Sequence, residues 1–209
     1  MALDFEIKRI EAQLSTMAPT SVGLFSCSAA ERLLPLYQAF ASENGWGDYA
    51  KLRSILDALW DYNGGKCNSN PPFGLWLEEI LKATPHADDF DSLLITSAQD
   101  TCICLDLAVR WTGSIEKDRS YAMTEYSLEG WRQLICYRET GYIDLGSGPE
   151  AAAFELQLLE HPFISAELAR QHEDIATLQS QEEISQFVAT LKDRARQHRA
   201  DAKEWKTKH

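Results

Sequence analysis

The stretch Pro85–Trp111, PHADDFDSLLITSAQDTCICLDLAVRW, constrains this chain more than any other. It opens on a dense acidic cluster and runs at once into the longest largely apolar segment of the sequence. A helix that is apolar nearly all round must be enclosed by other elements. The segment from Leu93 onward is therefore expected at the centre of the fold. Asp88, Asp89, Asp91 and Ser92 are expected to cap its start, because carboxylates there satisfy unpaired backbone N–H groups and complement the helix dipole. At 100° per residue, Thr96, Gln99, Asp100, Asp106 and Arg110 share one sector, and Asp106 and Arg110 are placed to pair. Asp100 lies at the edge of that sector, where partial burial would demand a partner.

Helical spacing recurs on both sides of this stretch. Asp4–Leu14 forms an amphipathic segment through Phe5, Ile7, Ile10 and Leu14. Ser21–Phe40 is apolar on one side, with Thr20 or Ser21 suited to cap it. Pro35 inside this pattern removes a helical hydrogen bond, which predicts either a kink or a split near Leu34. Glu31 and Arg32, just before it, are expected to serve structure. The connection Asn44–Asp48 ends on an N-cap candidate, Asp48, for a helix over Tyr49–Tyr62 that carries Leu52, Ile55, Leu56, Leu59 and Trp60 on one face. Asn63–Pro72 is a loop, and Cys67 in it is the thiol expected to be exposed. Further helices are predicted over Phe73–Lys82, Ser114–Tyr142, Glu150–Glu160, Ser165–Leu178 and Gln181–Lys206, with His161-Pro-Phe as a stop. No stretch alternates with a period of two over a strand's length. The expected fold is all-α, a single-domain multi-helix bundle of about eight helices. Residues 1–191 form the bundle, and 192–209 a basic helix end that frays.

Charge and cysteine content exclude several functions. The 209 residues carry a net charge of −12, the wrong sign for a general nucleic-acid or anionic-membrane binder. Residues 192–209 hold seven Lys/Arg against three Asp/Glu, a net of +4, so the remainder carries −16. Five cysteines without CxxC spacing indicate reduced thiols in a cytosolic protein. No signal peptide and no apolar run of membrane-spanning length is legible, and the expected location is cytoplasmic.

Chemistry is sparse. HExxH, GxSxG and P-loop patterns are missing, and no catalytic residues or cofactors are predicted. Cys102 and Cys104 lie about 200° apart on an ideal helix and cannot jointly chelate. His86, Asp88, Asp89 and Asp91 form an oxygen-rich cluster of the kind that holds Mg²⁺ or Ca²⁺, without EF-hand spacing. Together with Asp100 or Asp48, the three aspartates carry the alternative reading, a metal-dependent hydrolase. The preferred reading is a non-enzymatic interaction module, in which an acidic body attracts a basic protein partner, as an immunity-type protein masks a toxin. Six tryptophans favour an interface, including that of a homodimer. Structural or interaction roles fall to Glu31, Arg32, Pro35, Asp48 and Trp60.

Several segments occur in a telling order: Glu31-Arg-Leu-Leu-Pro-Leu-Tyr37, Gly45-Trp-Gly-Asp48, Leu52-Arg-Ser-Ile-Leu-Asp-Ala-Leu-Trp60, Ala87-Asp-Asp-Phe-Asp-Ser92 and Asp100-Thr-Cys102. Together they resemble the YjaG-type family of bacterial proteins, domain-of-unknown-function family 416, over roughly Phe5 to Leu178. Departures are Leu36 where Asn is expected, Ala30 where Cys is frequent and Thr101 where Ala is usual. The Leu36 departure weakens any catalytic proposal for that corner. The resemblance implies an all-helical bundle of cytosolic character and no particular activity.

Overall fold

The computed structural model describes residues 2–67, 69–115, 123–140, 149–179 and 187–199. Among them are nine α-helices and no strand: α1 (Ala2–Leu14), α2 (Pro19–Asn44), α3 (Tyr49–Asn63), α4 (Phe73–Ala83), α5 (Ile95–Thr112), α6 (Met123–Thr140), α7 (Pro149–Glu160), α8 (Pro162–Gln179) and α9 (Val188–Gln197). The all-α bundle expected from helical periodicity is the fold observed. None of these helices is long and apolar enough to cross a membrane.

Two helices share the centre. The most extensive pairing in the bundle is that of α5 with α2, and α3, α6, α8 and α9 also pack on α2. Every residue of α2 from Ser21 to Leu34 is buried. The polar residues on this stretch, Ser21, Ser26, Ser28, Glu31 and Arg32, make it read as one-sided in sequence, although it is enclosed all round. Burying an aliphatic or aromatic side chain here contributes about 1.5–3 kcal/mol. The core joins Phe25, Leu33, Leu34 and Tyr37 of α2 to Ala98, Leu105 and Val109 of α5 and Leu56, Leu59 and Trp60 of α3.

The chain does not split at Pro35, and α2 continues through it to Asn44. Packing on both sides of the proline holds one helix where propensity alone would break it. Nor do Thr20 and Ser21 cap it: Pro19 occupies the first turn, behind an extended Ala18 with no side-chain cap. Proline's fixed φ suits that position. At the other end Gly45 adopts φ 59° and its N–H bonds the Ala41 carbonyl, a left-handed cap that a residue lacking Cβ makes without strain. Asp48 caps α3 as expected, its Oδ1 accepting the Lys51 N–H at 2.9 Å.

The acidic cluster behaves differently from the expectation. Asp88, Asp89 and Asp91 do not open α5, which begins at Ile95 behind Leu94 with no side-chain cap. Ala87–Asp89 is a 3-10 turn and Phe90 is extended. The reason is aromatic packing. Phe90 sits against Phe40 and Trp46, ring centroids 5.2 and 5.1 Å away, and the extended backbone carries it there at the cost of one more helical turn. The Ser92 hydroxyl accepts the Leu94 N–H at 3.2 Å.

In the second half, Pro162 starts α8 directly after α7 instead of standing in a longer break. The helix expected over Ser114–Tyr142 is observed as α6, with 116–122 and 141–148 outside the described residues. The last predicted helix is observed as α9, which spans residue 191; residues 180–186 and 200–209 lie outside the described residues.

Candidate functional site

The chemistry-bearing groups of this bundle gather around one turn of α2. Glu31 and Arg32 are consecutive, so their side chains leave the helix about 100° apart. Each meets a different set of helices, and they are 0% and 3% exposed.

On the Glu31 side, Arg53 of α3 closes a two-pronged pair, both N···O distances 2.9 Å. The Trp60 indole N–H donates to Glu31 Oε2 at 3.1 Å. Arg53 also grips Asp57 at 2.9 Å through Nε and Nη2. From α9, Lys192 reaches Asp57 at 3.2 Å. Arg196 bonds both Asp57, at 3.0 Å, and Glu31 Oε1, at 3.3 Å. Arg199 donates to Glu31 Oε1 through Nε at 3.1 Å and through Nη2.

On the Arg32 side, Glu167 of α8 accepts three bonds of 2.7 to 3.1 Å, and Asp174 accepts one of 2.8 Å. Asp174 in turn takes Arg194 of α9 at 2.5 Å. Gln171 links Glu167, at 3.2 Å, to Ser127 of α6, at 2.7 Å.

These residues share one sequence signature. Arg53, Asp57 and Trp60 on α3, Glu167, Gln171 and Asp174 on α8, and Lys192 and Arg196 on α9 with Arg199 two residues past its end each fall at i, i+4, i+7 in sequence. Polar residues at that spacing read as solvent-facing surface, so nothing in one stripe alone marks it as a buried contact. Opposite charge on separate helices was the available signal.

The electrostatics follow from burial and pairing. Burial pushes the Glu31 carboxyl upward, but Arg53 and Arg199 outweigh it and hold the group below its usual range. Asp57 is held down likewise by Arg53 and Lys192. Burial opposes the charge on Arg32, and Glu167 and Asp174 more than restore it. Charges removed from water cost several kcal/mol each unless well paired. Held down in this way and supplied with several donors each, Glu31 and Asp57 tie α2, α3 and α9 together.

One carboxyl differs. Asp100 of α5 is 3% exposed, and burial, with the nearby Glu129 charge, pushes it up to about 8. The Gly130 backbone amide opposes that shift. α6 approaches so closely here that a Cβ on Gly130 would stand 2.7 Å from Ser97 Oγ, 2.9 Å from Ser97 Cα and 3.0 Å from Asp100 Oδ2. Asp100 thus keeps its proton near neutral pH.

The structure separates the candidate metal ligands. Asp88, Asp89 and Asp91 lie on the surface with His86, while Asp100 is enclosed between α5 and α6. Among the described residues no three or more His, Cys, Asp or Glu side chains gather as a metal site. Asp106 and Arg110 pair at 2.6 Å. His172 meets Glu6 at 3.3 Å, and His161 accepts the Phe163 N–H at 3.3 Å. All five cysteines are free thiols: Cys27, Cys102 and Cys104 buried, Cys136 half-buried and Cys67 exposed. Burial pushes the Cys102 thiol up to about 12, far from the thiolate a nucleophile requires.

A family described as "Protein of unknown function (DUF416)" matches residues 9–200. The chain belongs to the DUF416 family. Its relatives include "Uncharacterized protein YjaG" of Escherichia coli (strain K12), 36% identical over 81 residues, and the protein of the same name from Salmonella typhimurium, 33% identical. Each match spans 39% of this chain and 41% of the relative's length. The crystal structure of a DUF416 family protein from Shewanella baltica OS155 superposes with a TM-score of 0.74 over 88% of this chain and 92% of that one. At 21% identity that likeness establishes a shared DUF416 fold.

Proposed function

We propose that this DUF416 protein is a non-enzymatic interaction module of the cytosol that engages a basic protein partner, as an immunity-type protein does. The observation that carries this reading is how the chain uses its cations. Arg32, Arg53, Lys192, Arg194, Arg196 and Arg199 are all committed to Glu31, Asp57, Glu167 and Asp174. Six cations against four carboxylates leave this centre at +2. The rest of the chain then carries −14 within the total of −12. The exposed Asp88, Asp89 and Asp91 stand beside the 42% exposed Leu93, an acidic rim with an apolar anchor of the kind that steers and then seats a basic partner.

The test is affinity capture from native lysate at low and high salt, alongside a variant carrying Asp88→Lys, Asp89→Lys and Asp91→Lys. A specific basic protein is expected at low salt, reduced at high salt and lost with the variant. Recovery of no basic protein under either condition overturns the proposal. Self-association into a homodimer is distinguished by light scattering of the purified protein.

A further inference from the structure

The two halves of the ionic centre differ in charge balance, and that difference points to a ligand. Around Arg32 the charges match: Arg32 and Arg194 face Glu167 and Asp174. At the rim of this half, Arg170 and Glu173 add one of each sign. Around Glu31, among the described residues, four cations (Arg53, Lys192, Arg196 and Arg199) face two carboxylates, Glu31 and Asp57. Both halves sit on the same turn of α2 and both use α9. Only one carries a surplus, of two positive charges, in a protein of net charge −12.

The hydrogen bonds are crowded in the same place. Glu31 Oε2 accepts from Arg53 and Trp60, which occupies both of its lone pairs. Glu31 Oε1 receives Arg53 Nη1 at 2.9 Å, Arg199 Nε at 3.1 Å, Arg196 Nε at 3.3 Å and Arg199 Nη2. Four N–H groups on one oxygen exceed its acceptor capacity. The negative end of α9 is equivalent to about half a charge, less than the surplus. Arg53 and Lys192 are enclosed, with side chains 17% exposed, whereas Arg196 and Arg199 are 39% and 37% exposed. The unbalanced guanidinium groups thus stand at the mouth of the site, within reach of solvent.

We propose that Arg196 and Arg199, backed by Lys192, form a binding site for a phosphate-class oxyanion at the junction of α2, α3 and α9. Guanidinium forks bind phosphate oxygens in pairs, and a doubly charged oxyanion would cancel the surplus. Glu31 holds both arginines from beneath, and Asp57 holds Arg196. This site is separate from the acidic rim at Asp88–Asp91 and does not depend on it.

Full-length protein is titrated with inorganic phosphate and, separately, with glycerol 3-phosphate, at constant ionic strength made up with chloride. The unfolding temperature and the phosphorus NMR line width are followed. Saturable binding is expected with either probe, weakened about tenfold or more in each of Arg196→Gln and Arg199→Gln, the scale of one charge-assisted hydrogen bond. Tighter binding of glycerol 3-phosphate assigns the site to an esterified phosphate, and equal binding assigns it to the free oxyanion. The unaltered protein decides the matter even where a variant fails to fold: no line broadening, or a phosphate effect equal to that of chloride, overturns the proposal. So does undiminished affinity in both variants.

Discussion

Arg32 and Glu167, 135 residues apart in the chain, meet through three hydrogen bonds of 2.7 to 3.1 Å, each side chain only 4% exposed. This pair ties the central helix of the first half to α8 of the second. It also sets the terms on which the bundle closes, since neither charge tolerates burial alone.

Replacing Arg32 with Met should therefore cost about 3–5 kcal/mol in urea unfolding, because buried Glu167 loses all three of its bonds to Arg32 and Asp174 is left with Arg194. Adding Glu167→Gln and Asp174→Asn to that variant should restore at least half of the loss. If the single variant unfolds at the wild-type midpoint, the pairing is not what holds α8.

Asp100 gives stability a definite pH slope. Its folded-state value of about 8 lies above the ordinary 3.8, so between those values the folded protein binds a proton that the unfolded chain has released. Stability should fall as pH rises through that window, by up to about 1.4 kcal/mol per pH unit. Asp100→Asn, which mimics the protonated form, should flatten the slope and exceed the wild type above pH 8. Parallel profiles for the two proteins would show that Asp100 is ionised.

Glu31 and Asp57 act in the opposite sense. Both are held below their ordinary values of 4.5 and 3.8, so they bind fewer protons folded than unfolded. Their contribution is present above the ordinary values and lost as pH falls below them. The loss of stability between about pH 7 and about pH 4, read from urea unfolding at each pH, should be smaller in Glu31→Gln, which removes one such group, than in the wild type.

Gly130→Ala sets two effects against each other. Alanine improves helix propensity by about 1 kcal/mol, while the added Cβ would meet the Ser97 Cα at 2.9 Å, and overpacking typically costs about 1–3 kcal/mol. Backbone cannot rotate away, so the melting temperature should fall. A rise would mean that α5 and α6 separate at little cost.

The two acidic turns should respond differently to truncation. Asp48→Ala removes a bond to the Lys51 N–H and should cost about 1 kcal/mol. Asp88→Ala removes no cap and should stay within about 0.5 kcal/mol. Equal losses by chemical denaturation would return Asp88 to a capping role.

Local rules read local features correctly. The Asp48 cap, the Asp106–Arg110 pair, the exposed Cys67 and the helical character of the chain all depend on residues a few positions apart, which spacing alone describes. The start of α5 was misjudged because the helical turn that Asp88–Asp91 could form competes with burial of Phe90 between Phe40 and Trp46, from a different part of the chain. Of the two outcomes expected at Pro35, a kink or a split, the split does not occur, because packing along α2 keeps it one helix to Asn44.

Sequence by itself determined the class of this protein: period-3.6 apolar patterning without period-two alternation leaves only helices, and one nearly apolar segment must lie inside them. It also marked Pro85–Trp111, Glu31 and Arg32 as places where structure would concentrate. Only the tertiary structure decided what those charges meet. Arg53, Asp57, Glu167, Asp174, Lys192, Arg194 and Arg196 come from three helices spread over the chain and Arg199 from just beyond the last, and each set alone is indistinguishable from solvated surface. Their partners are chosen by helix packing, and the energy of a buried charge depends on distances that no local pattern encodes.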